Sequence, residues 1–206
     1  DLEGVGTIIN DEGAPPIFIS DASVTEGGTL TFAVSLAYTA ASNVTFVFNA
    51  FDGTATTADS DYTDVSATFT ISAGALTTSL QILTGVDSKY ETNEALTASL
   101  SALTNATSGD VIATGTINND DTAPSIYVSD ASGAEGETLL FTLSLAAVSS
   151  VDTAITWSTS DNQATVADSD FTAVSNLVVT IPAGSLTVSG PVITIEDTKF
   201  ETNEIF

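Results

Sequence analysis

The chain has 206 residues, 43% of them hydrophobic, enough apolar material to bury the core of one or two domains. Its 27 Asp and Glu face only two basic side chains, Lys89 and Lys199, with no Arg and no His, for a formal net charge of −25 at pH 7. Such a chain cannot displace the counterions of nucleic acid or settle on an anionic bilayer, so both are excluded as partners. Without Cys or His it has no disulfide, no thiol nucleophile, no imidazole base and no zinc-type ligand set. Its wealth of Val, Ile and Phe argues against an acidic disordered tract.

Taken in chain order, residues 1–12 close with Asn10, Asp11 and Glu12 and read as the end of a preceding repeat. After Ala14-Pro15-Pro16, period-two alternation with Thr and Ser between apolar positions predicts seven strands, near 16–25, 29–37, 43–51, 62–72, 77–85, 95–103 and 111–118. The inward sets are Phe32, Val34, Leu36; Val44, Phe46, Phe48; Ala67, Phe69, Ile71; and Leu96, Ala98, Leu100. Thr122-Ala123-Pro124 marks the next boundary, after which Phe141, Leu143, Leu145 and Ile155, Trp157 answer the first set. Trp157 aligns with Phe48 and is expected in the core. No stretch carries the helical period, none approaches the length of an apolar membrane span, and no signal-peptide pattern opens the chain.

The second half repeats the first. GTIINDE at Gly6 and GTINNDD at Gly115, IFISDASVTEG at Ile17 and IYVSDASGAEG at Ile126, and DSDYT at Asp59 and DSDFT at Asp168 are each 109 residues apart. ISAG at Ile71 and IPAG at Ile181, then DSKYETNE at Asp87 and DTKFETNE at Asp197, are 110 apart. This frames residues 1–12 as the end of one repeat, 13–121 as a complete repeat and 122–206 as a second, truncated one. The expected fold is all-β: tandem immunoglobulin-like seven-stranded antiparallel β-sandwiches arranged head to tail.

If successive strands alternate in direction, alternate loops share an end of the sandwich. One end then collects Glu26, the loop with Asp52, Asp59 and Asp61, the loop with Asp87, Glu91 and Glu94, and the exit Asn119, Asp120 and Asp121. Among the loops of the other end only Asp110 is acidic. Clustered carboxylates repel unless a cation neutralises them, and flexible all-oxygen loops suit calcium better than magnesium. Glu26, Asp52, Asp87, Glu91, Asp120 and Asp121 form the candidate ligand set; their six charges would balance roughly three calcium ions. Asp61, and Asp170 at the same place in the second repeat, either ligates or holds its loop's backbone. Glu94 and Asp110 are read as solvated, and Asp21 as structural.

TEGGTLTF, FDGTATTADSDYT, the ISAG turn, DSKYETNEALTASL and GTINNDD together resemble the Calx-β domain, known from sodium–calcium exchangers and from very large bacterial surface proteins. The resemblance covers the full repeat and continues through the second. It implies a seven-stranded sandwich with several calcium ions at one end, held by Glu26, Asp52, Asp87, Glu91 and Asn119, Asp120, Asp121. In the second repeat it implies Glu135, Asp161, Asp197 and Glu201, and from the preceding repeat Asp11 and Glu12 behind Asn10. Three departures, Asp87-Ser88-Lys89 in place of consecutive acids, Asn119 in place of an acid and Asp161-Asn162-Gln163 in place of DGT, imply fewer ions or weaker binding.

The function these readings predict is non-enzymatic. It is a structural stalk or filament segment of a large secreted adhesin on the bacterial cell surface, with several calcium ions rigidifying each repeat junction. Its partners would be neighbouring repeats of the same chain, and other surface proteins or polysaccharide reached through parts beyond this stretch. The alternative is a calcium-binding accessory array of a large secreted enzyme or carbohydrate-binding protein.

Overall fold

The structure, a computed structural model, describes residues 3–206. The described residues form strands and no helix, in two compact units. Unit 1 takes in residues up to Asp87 together with Asn93–Asn119, and unit 2 takes in Ser88–Thr92 together with Asp120–Phe206.

Unit 1 is an immunoglobulin-like sandwich. Its strands are β1 (Pro16–Ile19), β2 (Ala22–Thr25), β3 (Thr29–Leu36), β4 (Val44–Phe51), β5 (Ser66–Ile71), β6 (Thr77–Leu83), β7 (Glu94–Thr104), β8 (Thr107–Ser108) and β9 (Ile112–Asn118). One sheet runs β6-β3-β1-β8 and the other β2-β9-β7-β4-β5. The alternation predicts the buried face well: Leu30, Phe32, Val34 and Leu36 of β3 point inward, as do Val44, Phe46 and Phe48 of β4 and Leu96, Ala98 and Leu100 of β7. Phe32 and Phe48 meet across the two sheets, ring centroids 5.9 Å apart. Thr and Ser fill the outer positions, where a small β-branched or hydroxyl side chain costs nothing in water.

Three details depart from the strand reading. The expected strand 16–25 is two strands on different sheets, and the crossing is managed by Asp21, whose carboxylate accepts the Thr114 N–H at 2.7 Å. As a result β1–β8 and β2–β9 pair parallel, while the other ladders are antiparallel. The strand expected from 62 begins only at Ser66, and Ala67, expected inward, is exposed near the start of an edge strand.

Unit 2 contains β10 (Ile126–Val128), β11 (Thr138–Leu145), β12 (Thr153–Trp157), β13 (Leu177–Ile181) and β14 (Thr187–Ile193), in sheets β10-β11-β14 and β12-β13. The final Phe206 stacks on Phe171 at 4.4 Å, and the Ile205 carbonyl accepts Gln163 and Ala164 N–H as the Ala95 carbonyl accepts Ala55 N–H in unit 1. Phe141, Ile155 and Trp157 are half-buried, and their counterparts Phe32, Phe46 and Phe48 are fully buried. Trp157 joins the small core as expected, but its buried indole N–H has no acceptor.

Candidate metal centre

In unit 1 four acid-bearing segments are hydrogen-bonded to one another at one end of the sandwich. Glu26 N–H donates to the Asn118 carbonyl (3.1 Å), and Asn119 N–H donates to Asn93 Oδ1 (3.1 Å). Gly27 N–H reaches the Gly85 carbonyl, Gly85 N–H reaches that of Asp61, and Ala95 N–H reaches Thr54 Oγ1. The β2–β3 turn, the β4–β5 loop, the β6–β7 loop and the end of β9 are thus knitted together. The opposite end joins the other loops, with Gly74 N–H on the Ala40 carbonyl and Asn105 Nδ2 on that of Asn43.

Each acid has a definite local role. The β2–β3 turn places Glu26 because Gly27 adopts φ +71°, a left-handed conformation in which a side chain would be strained and would press on Val86 Cβ at 3.2 Å. One carboxylate oxygen of Glu26 lies within 4.8 Å of one of Asp87. Asp61 follows Ser60 at φ 71° and accepts the Thr56 N–H at 2.7 Å, while an oxygen of Asp61 lies within 4.8 Å of one of Glu94. Of the two readings of Asp61, the bond to its own loop's backbone is present, and the same side chain also faces another carboxylate.

Asp52 stands outside the groupings of unit 1. Its Oδ1 accepts the Tyr62 hydroxyl at 2.7 Å and the Thr57 N–H at 3.0 Å. The Tyr62 bond first, then that of Thr57, holds the Asp52 carboxyl below its ordinary range. Burial, then the same bond to Asp52, pushes the Tyr62 hydroxyl well up. Asn119 is half-buried, Asp11 and Glu12 are exposed ahead of β1, and Asp120 is exposed. Glu91 and Asp121 fall in the segments grouped with unit 2, where Glu91 is buried and ion-paired to Lys89.

Unit 2 holds a cluster within itself: oxygens of Asp170, Glu201 and Glu204 all lie within 4.8 Å of one another. Asp170 accepts the Thr165 N–H at 2.6 Å, repeating the role of Asp61. Asp161 accepts the Val166 N–H at 3.1 Å, repeating that of Asp52, but Phe171 stands where Tyr62 stands in unit 1 and offers no hydroxyl. Asp197 accepts the Lys199 N–H at 2.7 Å, and Lys199 Nζ pairs with Glu201. That bond, followed by the charges of Asp168 and Glu201, holds the ammonium above its ordinary value. Desolvation, followed by the charges of Glu201 and Asp170, pushes the Glu204 carboxyl up. Glu135, Asp161 and Asp197 lie outside this cluster, and Glu135 is exposed.

Glu94 and Glu204 were not expected as site residues, Glu94 having been read as solvated. The available signal was their recurrence: Asp61, Glu91 and Glu94 become Asp170, Glu201 and Glu204 at the offsets of the repeat. The donor set of the second cluster is all oxygen, anionic and loop-borne. Hard divalent cations fit such donors, and calcium tolerates their irregular geometry.

No curated protein matches the sequence. Solved structures similar to it include CBD12 from CALX1.2, at 15% identity over 89% of this chain and 76% of that one (TM-score 0.49). The apo-form Calx CBD1 domain matches at 19% identity over 52% of this chain and 98% of that one (TM-score 0.48). The calcium binding domain CBD12 of CALX1.1 matches at 15% identity over 86% and 74% (TM-score 0.48). The profile of the Calx-beta domain matches twice in succession, over residues 10–123 and 120–206. This chain belongs to the Calx-beta domain family, as a tandem of two copies.

Proposed function

We propose that the chain is a calcium-binding segment of a repetitive stalk on a large secreted bacterial surface adhesin, and that calcium stiffens the array. The observation that carries this is the recurrence in sequence, at offsets of 109 and 110, of the same acids, Asp61, Glu91 and Glu94, as Asp170, Glu201 and Glu204, of which the second three converge in unit 2. Repetition of the same acids in successive sandwiches favours an architectural role over a single catalytic site. Within unit 1 the exit of β9 is tied to both the Glu26 turn and the Asn93 segment, so a cation bound by these loops would also immobilise the exit. Each repeat then adds length to a quasi-one-dimensional assembly. In the second unit Asp170, Glu201 and Glu204 would hold the ion, which supplies charge neutralisation and cross-linking.

Thermal unfolding in calcium, magnesium and chelator at one ionic strength tests the reading, with X-ray scattering of the same samples. A calcium-specific rise in midpoint, as expected for a ligand that binds only the native state, supports it. Indifferent midpoints would mean solvated acids. A calcium-dependent midpoint with unchanged scattering would keep the ion and remove the stiffening.

A further inference from the structure

The two lysines are the only basic side chains in the chain, against 27 acidic ones, and both stand at the same place in the repeat. Lys89 pairs with Glu91 and Lys199 with Glu201, each two residues ahead of its glutamate. In both cases the glutamate is the shielded partner: side-chain exposure is 34% for Lys89 against 6% for Glu91, and 57% for Lys199 against 13% for Glu201. Withdrawn from water, each glutamate is held by the ammonium beside it. In unit 2 that carboxylate also faces Asp170 and Glu204. We propose that Lys199 is a tethered counter-ion that occupies the acidic cluster of unit 2 in the absence of a divalent cation and competes with that cation for Glu201, and that Lys89, paired with Glu91, is its counterpart in the first repeat.

The argument is one of shared lone pairs. An ion-paired ammonium uses the Glu201 oxygen that a divalent cation would coordinate, and an ammonium left beside that cation would be repelled by it. The lysine must swing away before the ion is seated, and its exposed stem leaves it free to do so. The Asp197 side chain, by accepting the Lys199 N–H at 2.7 Å, fixes the backbone turn from which the lysine leaves. Two effects follow from one residue: the cation-free cluster is stabilised, and the concentration at which the cation displaces the lysine is raised. The device suits a junction that stays folded at low calcium and fills only where calcium is plentiful. The competition half of this proposal rests on the calcium reading above; the counter-ion half does not.

The test uses the 206-residue chain with Lys199→Gln and Lys199→Arg, calcium affinity being read by competition with a chromophoric chelator and unfolding midpoints being measured in chelator and in calcium. Lys199→Gln is expected to bind calcium about fivefold more tightly, to lower the midpoint in chelator and so to widen the gap between the two midpoints. Lys199→Arg, which keeps the charge, is expected to restore wild-type behaviour. Unchanged or weaker calcium affinity in Lys199→Gln, in a chain whose wild type responds to calcium, overturns the competition. A wild type indifferent to calcium sinks the calcium reading and the competition with it. The chelator midpoint of Lys199→Gln then decides the counter-ion role alone, an undiminished value overturning it.

Discussion

A single hydroxyl separates the two repeats at their β-loop aspartates. Tyr62 donates to Asp52, whereas Phe171 leaves Asp161 without that bond. Asp52 has its folded value below the ordinary 3.8, so it contributes stability that is present above pH 3.8 and lost as pH falls through the lower folded value. Tyr62→Phe should therefore fold, since the second repeat already uses Phe, and should let the Asp52 carboxyl rise toward 3.8 in an NMR titration. The fall of its unfolding midpoint on acidification should be shallower than that of the wild type. Glu204 has the opposite sign. Its folded value is raised above 4.5, so in chelator its effect favours the fold at low pH and is lost as pH rises through that raised value.

At the scale of the element, the β2–β3 turn decides where Glu26 points. Gly27 and its counterpart Gly136 share a left-handed backbone, at φ 71° and 74°. Gly27→Ala would carry a Cβ into 3.2 Å contact with Val86 Cβ in a conformation that L residues avoid. The expected cost is about 1–2 kcal/mol of stability, read as a lower unfolding midpoint. Calcium affinity should fall with it if the Glu26–Asp87 approach forms part of a site. Midpoint and affinity both equal to wild type would mean that the turn tolerates the strain and does not aim Glu26.

At the scale of the whole molecule one repeated sequence pattern builds two units. β3 pairs antiparallel with β6 as β11 does with β14, and β4 with β5 as β12 does with β13. The same alternation of apolar and hydroxyl side chains therefore sets the same ladders in both copies.

The alternation in β3, β4 and β7 was legible because a half-buried strand has a period of two, and burial in these strands depends on little else. The repeat was legible because a fold unit reused in sequence keeps its motifs in the same order at a nearly constant offset. Strand parity likewise sufficed to sort the acidic loops from the others, since it needs only the direction of each strand. The sequence could not say that residues 16–25 change sheets, because that depends on Asp21 reaching Thr114 across 93 positions. Nor could it choose among individual carboxylates. Asp52 also holds Tyr62 and Thr57 through its Oδ1, and Glu94, read as solvated, faces Asp61. The side-chain period and strand direction are local properties written along the chain. Which oxygens converge depends on loop backbones such as those at Gly27, Ser60 and Ser169, which only the folded packing fixes.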